Sequence, residues 1–157
     1  MKETKKIKAP LLMRLLDNDP YAITEKTVLK SIDTIELYND IRINLQNILN
    51  ARVLGVIWPS HFAEIKQSIL NYGITDFTHS YFGNKNSQEE LCAKLSDVVL
   101  SYEPRLSDVS VQALESDIAM DRLLKIRIEA QINLIPPVPA IFESCLDITN
   151  QNFTVNE

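Results

Sequence analysis

At Pro104 the chain changes from one hydrophobic period to another, and the two periods cannot belong to the same element. Upstream, Leu91, Leu95, Val98 and Tyr102 recur at i, i+4, i+7 and i+11, which is one face of a helix. Downstream, Val109, Val111 and Ala113 alternate with polar residues, as on a half-buried strand. Proline lacks an amide hydrogen, fixes its own φ and drives the preceding residue toward extended geometry. A helix is therefore predicted to end near Tyr102, with a stiff turn at Ser101–Leu106 and a strand beyond it.

The rest of the chain falls on either side of this joint. Val28, Ile32, Ile35, Tyr38, Ile41, Leu45 and Ile48 follow one another at helical spacing and predict a long amphipathic helix. Thr24, Ser31 and Asp33 are alternative N-caps, and Asp33 with Glu36 makes the better capping pair. Phe62, Ile65, Ile69 and Tyr72 suggest a second helix from Ser60, closed by Gly73. Ser87, Gln88, Glu89 and Glu90 read as a capping box opening the third. After the joint, Leu124 to Leu134 alternates without a break and predicts an antiparallel strand with one wet face. A proline-rich turn at Ile135–Pro139 stops it, Phe142 to Ile148 gives another strand, and Phe153–Val155 forms a terminal stub. At the other end, Pro10–Leu16 predicts a short helix ended by the turn formers Asp17–Pro20. Helices first and strands second imply an α+β fold: three main helices, plus a short N-terminal one, packed on a small, mainly antiparallel sheet from the C-terminal third. Residues 1–20 read as a flexible basic arm, carrying Lys2, Lys5, Lys6 and Lys8, with its short helix; residues 21–157 read as one domain.

Composition narrows the function. With 157 residues, 45% of them hydrophobic, the chain can bury a core, and its net charge of −5 argues against nucleic-acid binding, which needs clustered positive charge. No stretch is apolar for long enough to span a bilayer and the N-terminus lacks a signal-peptide pattern, so a cytoplasmic protein without direct membrane insertion is expected. Cys92 and Cys145 are too few for a disulfide framework, and His61 and His79 lack metal-ligand spacing. No cofactor or metal is expected.

Glu103, Pro104 and Arg105 are the candidate functional residues. A proline-locked acid and guanidinium make a poor core element but a good charged recognition surface, since arginine offers a bidentate donor fork. The plain alternative is a solvated ion pair at a helix end. Asn50 and Arg52, at the end of the long helix, read equally as C-capping or partner-binding residues.

Three segments in order, Ile48-Leu49-Asn50-Ala51-Arg52, Ser68-Ile69-Leu70-Asn71-Tyr72-Gly73 and Tyr102-Glu103-Pro104-Arg105-Leu106, resemble the TssE family of type VI secretion baseplate subunits. That family is similar to the lysozyme-like baseplate-wedge proteins of contractile phage tails. The resemblance runs from about Leu11 to Val155; Tyr102 stands where the family often has Phe, and Ala51-Arg52-Val53 replaces Thr-Arg-Arg. It implies a non-enzymatic subunit of a baseplate docked at the inner membrane complex, with no cofactor. Its partners would be the wedge proteins TssF and TssG, with TssK in the same assembly, and the TssB/TssC sheath, whose assembly it would prime. Glu103, Pro104 and Arg105 would be its partner-binding residues, and an open sheet edge would offer backbone pairing to a neighbour. The alternatives are a peptidoglycan-cleaving lysozyme-like enzyme, with Glu103 as acid and Glu64 or Asp76 as second carboxyl, or a small regulatory adaptor. Arg105 beside Glu103 would lower the carboxyl pKa, the wrong direction for a general acid.

Overall fold

A computed structural model describes residues 7–15, 21, 31–53, 55, 59, 61–62, 64–65, 68–77, 84–114 and 122–156. The chain divides into two compact units, Met1–Asp40 and Ile41–Glu157, with the boundary inside a helix. In the first unit, β1 (Ile7–Lys8) pairs antiparallel with β2 (Ser31–Ile32), and α1 (Leu11–Leu15) is a five-residue helix with no buried residue. The predicted short helix is present; the turn cluster Asp17–Pro20 lies outside the described residues.

Helix α2 (Thr34–Asn50) starts later than its apolar spacing suggests, because Ser31 and Ile32 are spent on β2. Val28 and Thr24 lie outside the described residues. Asp33 is the residue before the helix, and its N–H donates to Glu36 Oε2 at 3.2 Å, the backward half of a capping box. Ile41, Leu45, Ile48 and Leu49 are fully buried, whereas Ile35, counted on the same stripe, is 75% exposed.

The expected helix over Phe62–Tyr72 is replaced, among the described residues, by 3₁₀ geometry. The backbone bonds of its described residues are i→i−3: Phe62 to Pro59, Ile65 to Phe62, Ser68 to Ile65, Asn71 to Ser68 and Tyr72 to Ile69, all at 3.0–3.2 Å. Phe62 and Ile65 are three residues apart, a spacing that a 3₁₀ turn accommodates as well as an α turn does. Ser68 caps the turn Ile69–Asn71, its hydroxyl accepting from the Leu70 amide at 3.3 Å. Gly73 follows with φ +106°, as a helix-ending glycine should. Here glycine is required by space as well: a Cβ would lie 2.5 Å from the Ala51 carbonyl oxygen, to which Ile74 N–H donates at 3.0 Å.

α3 (Lys85–Tyr102) is capped three residues before the predicted cap Ser87: Asn84 is the cap, and its side chain accepts from the Asn86 amide at 3.2 Å. The buried face is Leu91, Cys92, Leu95 and Val99, rotated slightly from the predicted stripe, so Val98 and Tyr102 are only half-buried.

Four strands then form an antiparallel meander in the order β3-β4-β5-β6. They are β3 (Leu106–Ala113), β4 (Leu123–Ile132), β5 (Val138–Asp147) and β6 (Asn152–Asn156). Side chains alternate across the sheet. One face presents Leu124, Ile126, Ile128, Phe142, Leu146, Phe153 and Val155 to the core, and the other carries Lys125, Gln131 and Glu143 in solvent. The α+β fold expected from the sequence is thus present. Two details differ: β5 starts within the proline-rich turn, and the Phe153–Val155 stub is a full strand pairing with Glu143–Asp147. A register shift between Ser107 and Ser110, with Asp108 at φ +50°, bends β3 just after the joint.

Candidate functional site at the helix–sheet joint and the sheet edges

α3 ends at Tyr102 and Glu103 caps it, its N–H donating to Val99 O at 2.8 Å. The backbone then turns through Pro104 into β3, so the sequence-predicted joint is where it was expected. The Glu103 side chain turns inward. Its Oε1 accepts from Arg105 Nε at 2.6 Å, and its Oε2 accepts from Arg105 Nη2 at 2.8 Å and from Asn44 Nδ2 of α2 at 2.6 Å. Glu103 is only 1% exposed and the Arg105 side chain 30%. Asn133, just past β4, clamps the turn from outside: its Nδ2 donates to Pro104 O at 3.0 Å and its N–H to Arg105 O at 2.8 Å.

This corrects one expectation. The acid of the Glu103-Pro104-Arg105 group is not displayed to a partner, because its oxygens already hold a bidentate guanidinium and an amide from another helix. Of the three residues, Pro104 and part of Arg105 remain outward. A buried carboxylate is tolerated only when compensated in this way. Burial pushes the Glu103 pKa up, but the hydrogen bonds from Arg105 and Asn44, with the Arg105 charge, outweigh it and hold the carboxyl below its usual range. Glu103 is therefore ionised, the opposite of a glycosidase acid. The proposed second carboxyls, Glu64 and Asp76, are both exposed. Beside this cluster, Tyr102 packs edge-on against Tyr72 with ring centres 5.1 Å apart and donates to Ser68 O at 3.2 Å, tying the 3₁₀ segment to the end of α3.

The two edges of the sheet are treated differently. On β6 and at Gln151 just before it, the backbone groups of Gln151, Phe153 and Val155 point away from β5, and side chains in or just after the C-terminal half of α2 meet each of these residues. Arg42 Nη1 donates to Val155 O at 3.0 Å. Asn50 forms a two-way pair with Phe153, Nδ2 to O at 2.9 Å and N–H to Oδ1 at 2.8 Å, as a neighbouring strand would. Arg52 Nη2 donates to Gln151 O, while its Nη1 donates to Leu49 O at 2.9 Å and its guanidinium lies 5.2 Å from the centre of the Phe77 ring. Arg52 is thus a C-cap, as one of its two readings held. Asn50 caps a strand edge rather than its own helix. The β6 edge is closed, which removes it from the open edges considered above.

β3 is the other edge, and it faces a groove of about 630 Å³ between β3 and the first half of α3. The Leu114 N–H bonds Lys125 O at 2.8 Å, so residues 110, 112 and 114 point their backbone groups toward β4 and residues 109, 111 and 113 point outward. Among the described residues, side chains of α3 line this groove, and Ser96 reaches the strand.

With this geometry in place, the chain can be set beside known proteins. A family model described as "Baseplate wedge protein gp25" matches residues 36–136, from the first turn of α2 to the proline-rich turn after β4. The chain belongs to the baseplate wedge protein gp25 family. No curated protein sequence matches it. Among solved structures, a chain of "The baseplate complex from the type VI secretion system" is similar at 21% identity with a TM-score of 0.49, covering 71% of this chain and 94% of that one. The matched wedge-family segment contains the α2 residues, the joint and β4, so the buried Asn44-Glu103-Arg105 cluster lies wholly inside it. The family is that of a structural component of a baseplate. Among the described residues no group of metal-binding side chains occurs, and no helix is long and apolar enough to cross a membrane.

Sequence reasoning missed Asn44, Arg42, Asn133 and Ser96. Each is a polar residue whose partner lies 13 to 113 positions away, and no local pattern marks such a residue.

Proposed function

We propose that this chain is the small, non-enzymatic baseplate subunit of a type VI secretion system, of the TssE kind, acting in the cytoplasm in a baseplate docked at the inner membrane complex. Its partners in this reading are TssF and TssG, with TssK in the same assembly, and it primes the TssB/TssC sheath. The observation that carries the reading is the wedge-family match over residues 36–136. The ionised, internally bonded Glu103 supports a structural role over a lysozyme-like one.

Two surfaces would serve assembly. Pro104 and the outer part of Arg105 form a rigid contact for the wedge proteins, positioned from within by Glu103. The outer edge of β3 is the place where a neighbour's extended segment adds to the sheet, since α2 closes the edge at β6. The test is co-purification with TssF and TssG of the wild-type protein and of Arg105→Lys, which keeps a cation beside Glu103 but loses the planar fork. Wild-type capture with Arg105→Lys weakened is the expected result. A wild-type protein that captures neither subunit overturns the assignment, and a lysine variant that captures both equally confines Arg105 to a structural role.

A further inference from the structure

Arg105 is held at both ends. Its guanidinium is fixed by Glu103, which Asn44 fixes in turn from α2. Its backbone has less local support. Pro104 has no amide hydrogen to offer, and the Arg105 amide reaches Glu103 Oε1 only at a long 3.4 Å. The regular ladder with β4 begins one residue later, at Leu106 opposite Ile132. Asn133 closes this gap. Its N–H donates to Arg105 O at 2.8 Å and its Nδ2 to Pro104 O at 3.0 Å, so a single residue holds two successive carbonyls of the joint. The Leu134 amide donates to Ile132 O at 2.7 Å, a γ-turn centred on Asn133 that takes this residue out of the β4 ladder and leaves it beside Pro104.

We infer that Asn133 is a positioning residue for partner binding: its side-chain amide fixes the backbone that carries Arg105, so that the guanidinium meets a wedge protein already ordered. The inference rests on the reading of Pro104 and Arg105 as the wedge contact. Arginine has a long, rotamer-rich side chain, and freedom given up before contact is not lost again on contact. The Asn133 side-chain bond lies on exposed surface, where water replaces a lost partner and the net contribution to stability is small. Glu103 orders the other end of Arg105 but is buried, so removing it would destabilise the domain as well as loosen the contact. Asn133 is therefore the member of this set whose effect on binding separates from its effect on folding.

The experiment is a double-mutant cycle: the affinity for purified TssF and TssG is measured for wild type, Asn133→Ala, Arg105→Lys and the double variant, with a thermal melt of each. Gln131→Ala, two residues back on the exposed face of β4, is the control and should bind as wild type does. Asn133→Ala keeps its main-chain bond to Arg105 O and is expected to melt as wild type does, yet to bind roughly 2- to 10-fold more weakly, the range of one hydrogen bond. In the Arg105→Lys background the same change should cost nothing further, because it acts through the guanidinium. A residue that merely shapes the surface would weaken binding by the same factor in both backgrounds. That equal factor, wild-type affinity in Asn133→Ala, or a melt that falls together with the affinity overturns the positioning role while the Arg105 contact stands. If the wild-type protein binds neither subunit, or Arg105→Lys binds as tightly as wild type, the contact itself is lost and the positioning role with it.

Discussion

Replacing Arg105 with alanine would leave the Glu103 carboxylate buried with Asn44 as its remaining side-chain partner among the described residues. Breaking a fully buried ion pair by removing one member costs about 3–5 kcal/mol. The Arg105 side chain is 30% exposed, so water can reach part of the vacated space, and the expectation is discounted to roughly 2–4 kcal/mol at pH 7. That is a large share of the ~5–15 kcal/mol that stabilises a typical domain, and at roughly 2–4 °C per kcal/mol it lowers Tm by about 5–15 °C. The sign with pH follows from linkage. In the wild-type protein Glu103 is held below its unfolded value of ~4.3, so its contribution is present above that pH and fades as pH falls through the lower, folded pKa. Without Arg105, the Asn44 hydrogen bond is left to oppose burial, the largest single influence on this carboxyl, and the folded pKa is expected to rise above the unfolded one. The variant's penalty is then full at high pH and disappears as the carboxyl takes up a proton. The gap between the two proteins should therefore be widest near neutrality and shrink toward about pH 4. Urea unfolding followed by far-ultraviolet circular dichroism at several pH values measures it. A gap under about 0.5 kcal/mol at pH 7, or one that does not narrow on acidification, would refute the claim that Glu103 is a buried, compensated charge. Adding Glu103→Gln to Arg105→Ala should recover part of the loss at pH 7, because no charge is then left stranded.

Three further substitutions test other parts of the fold. Asn50→Ala removes both bonds to Phe153 and should cost about 1–3 kcal/mol, with faster hydrogen exchange at the Phe153 amide; unchanged exchange would mean that the β6 edge is closed by something other than this side chain. Gly73→Ala forces a Cβ against the Ala51 carbonyl at φ +106° and should destabilise by at least ~1–3 kcal/mol in a thermal melt, whereas a neutral result would place Gly73 in ordinary backbone geometry. Arg127→Ala breaks the 2.9 Å pair with Glu143 on the wet face, where side-chain exposures are 39% and 51%, and should change stability by less than about 1 kcal/mol. A larger loss would mean that this pair is shielded from solvent in a way its exposure does not convey.

Much of the fold was legible because it follows from local rules. The joint at Pro104 needs only the missing amide hydrogen and the change of period, and β4 needs only its unbroken alternation. Reading failed where local signals compete. Ser31 and Ile32 continue the helical stripe but pair with Ile7 and Lys8 instead, and Asn84 takes the cap that Ser87 also fits. The segment around Ile69 has helical spacing yet settles into 3₁₀ turns.

For the candidate site, the sequence determined which residues stand together at the joint, since Glu103, Pro104 and Arg105 are neighbours in the chain, and it correctly set the direction of the Glu103 pKa shift from Arg105 alone. Only the tertiary structure decided which way the acid faces. That choice depends on Asn44, 59 positions away in sequence, whose amide makes the inward position habitable for a charge. The same holds for the sheet edges. Alternation in the sequence specifies that strands form, but an edge is open or closed by whatever packs beside it, and among the described residues that is α2 at β6 and α3, through Ser96, at β3.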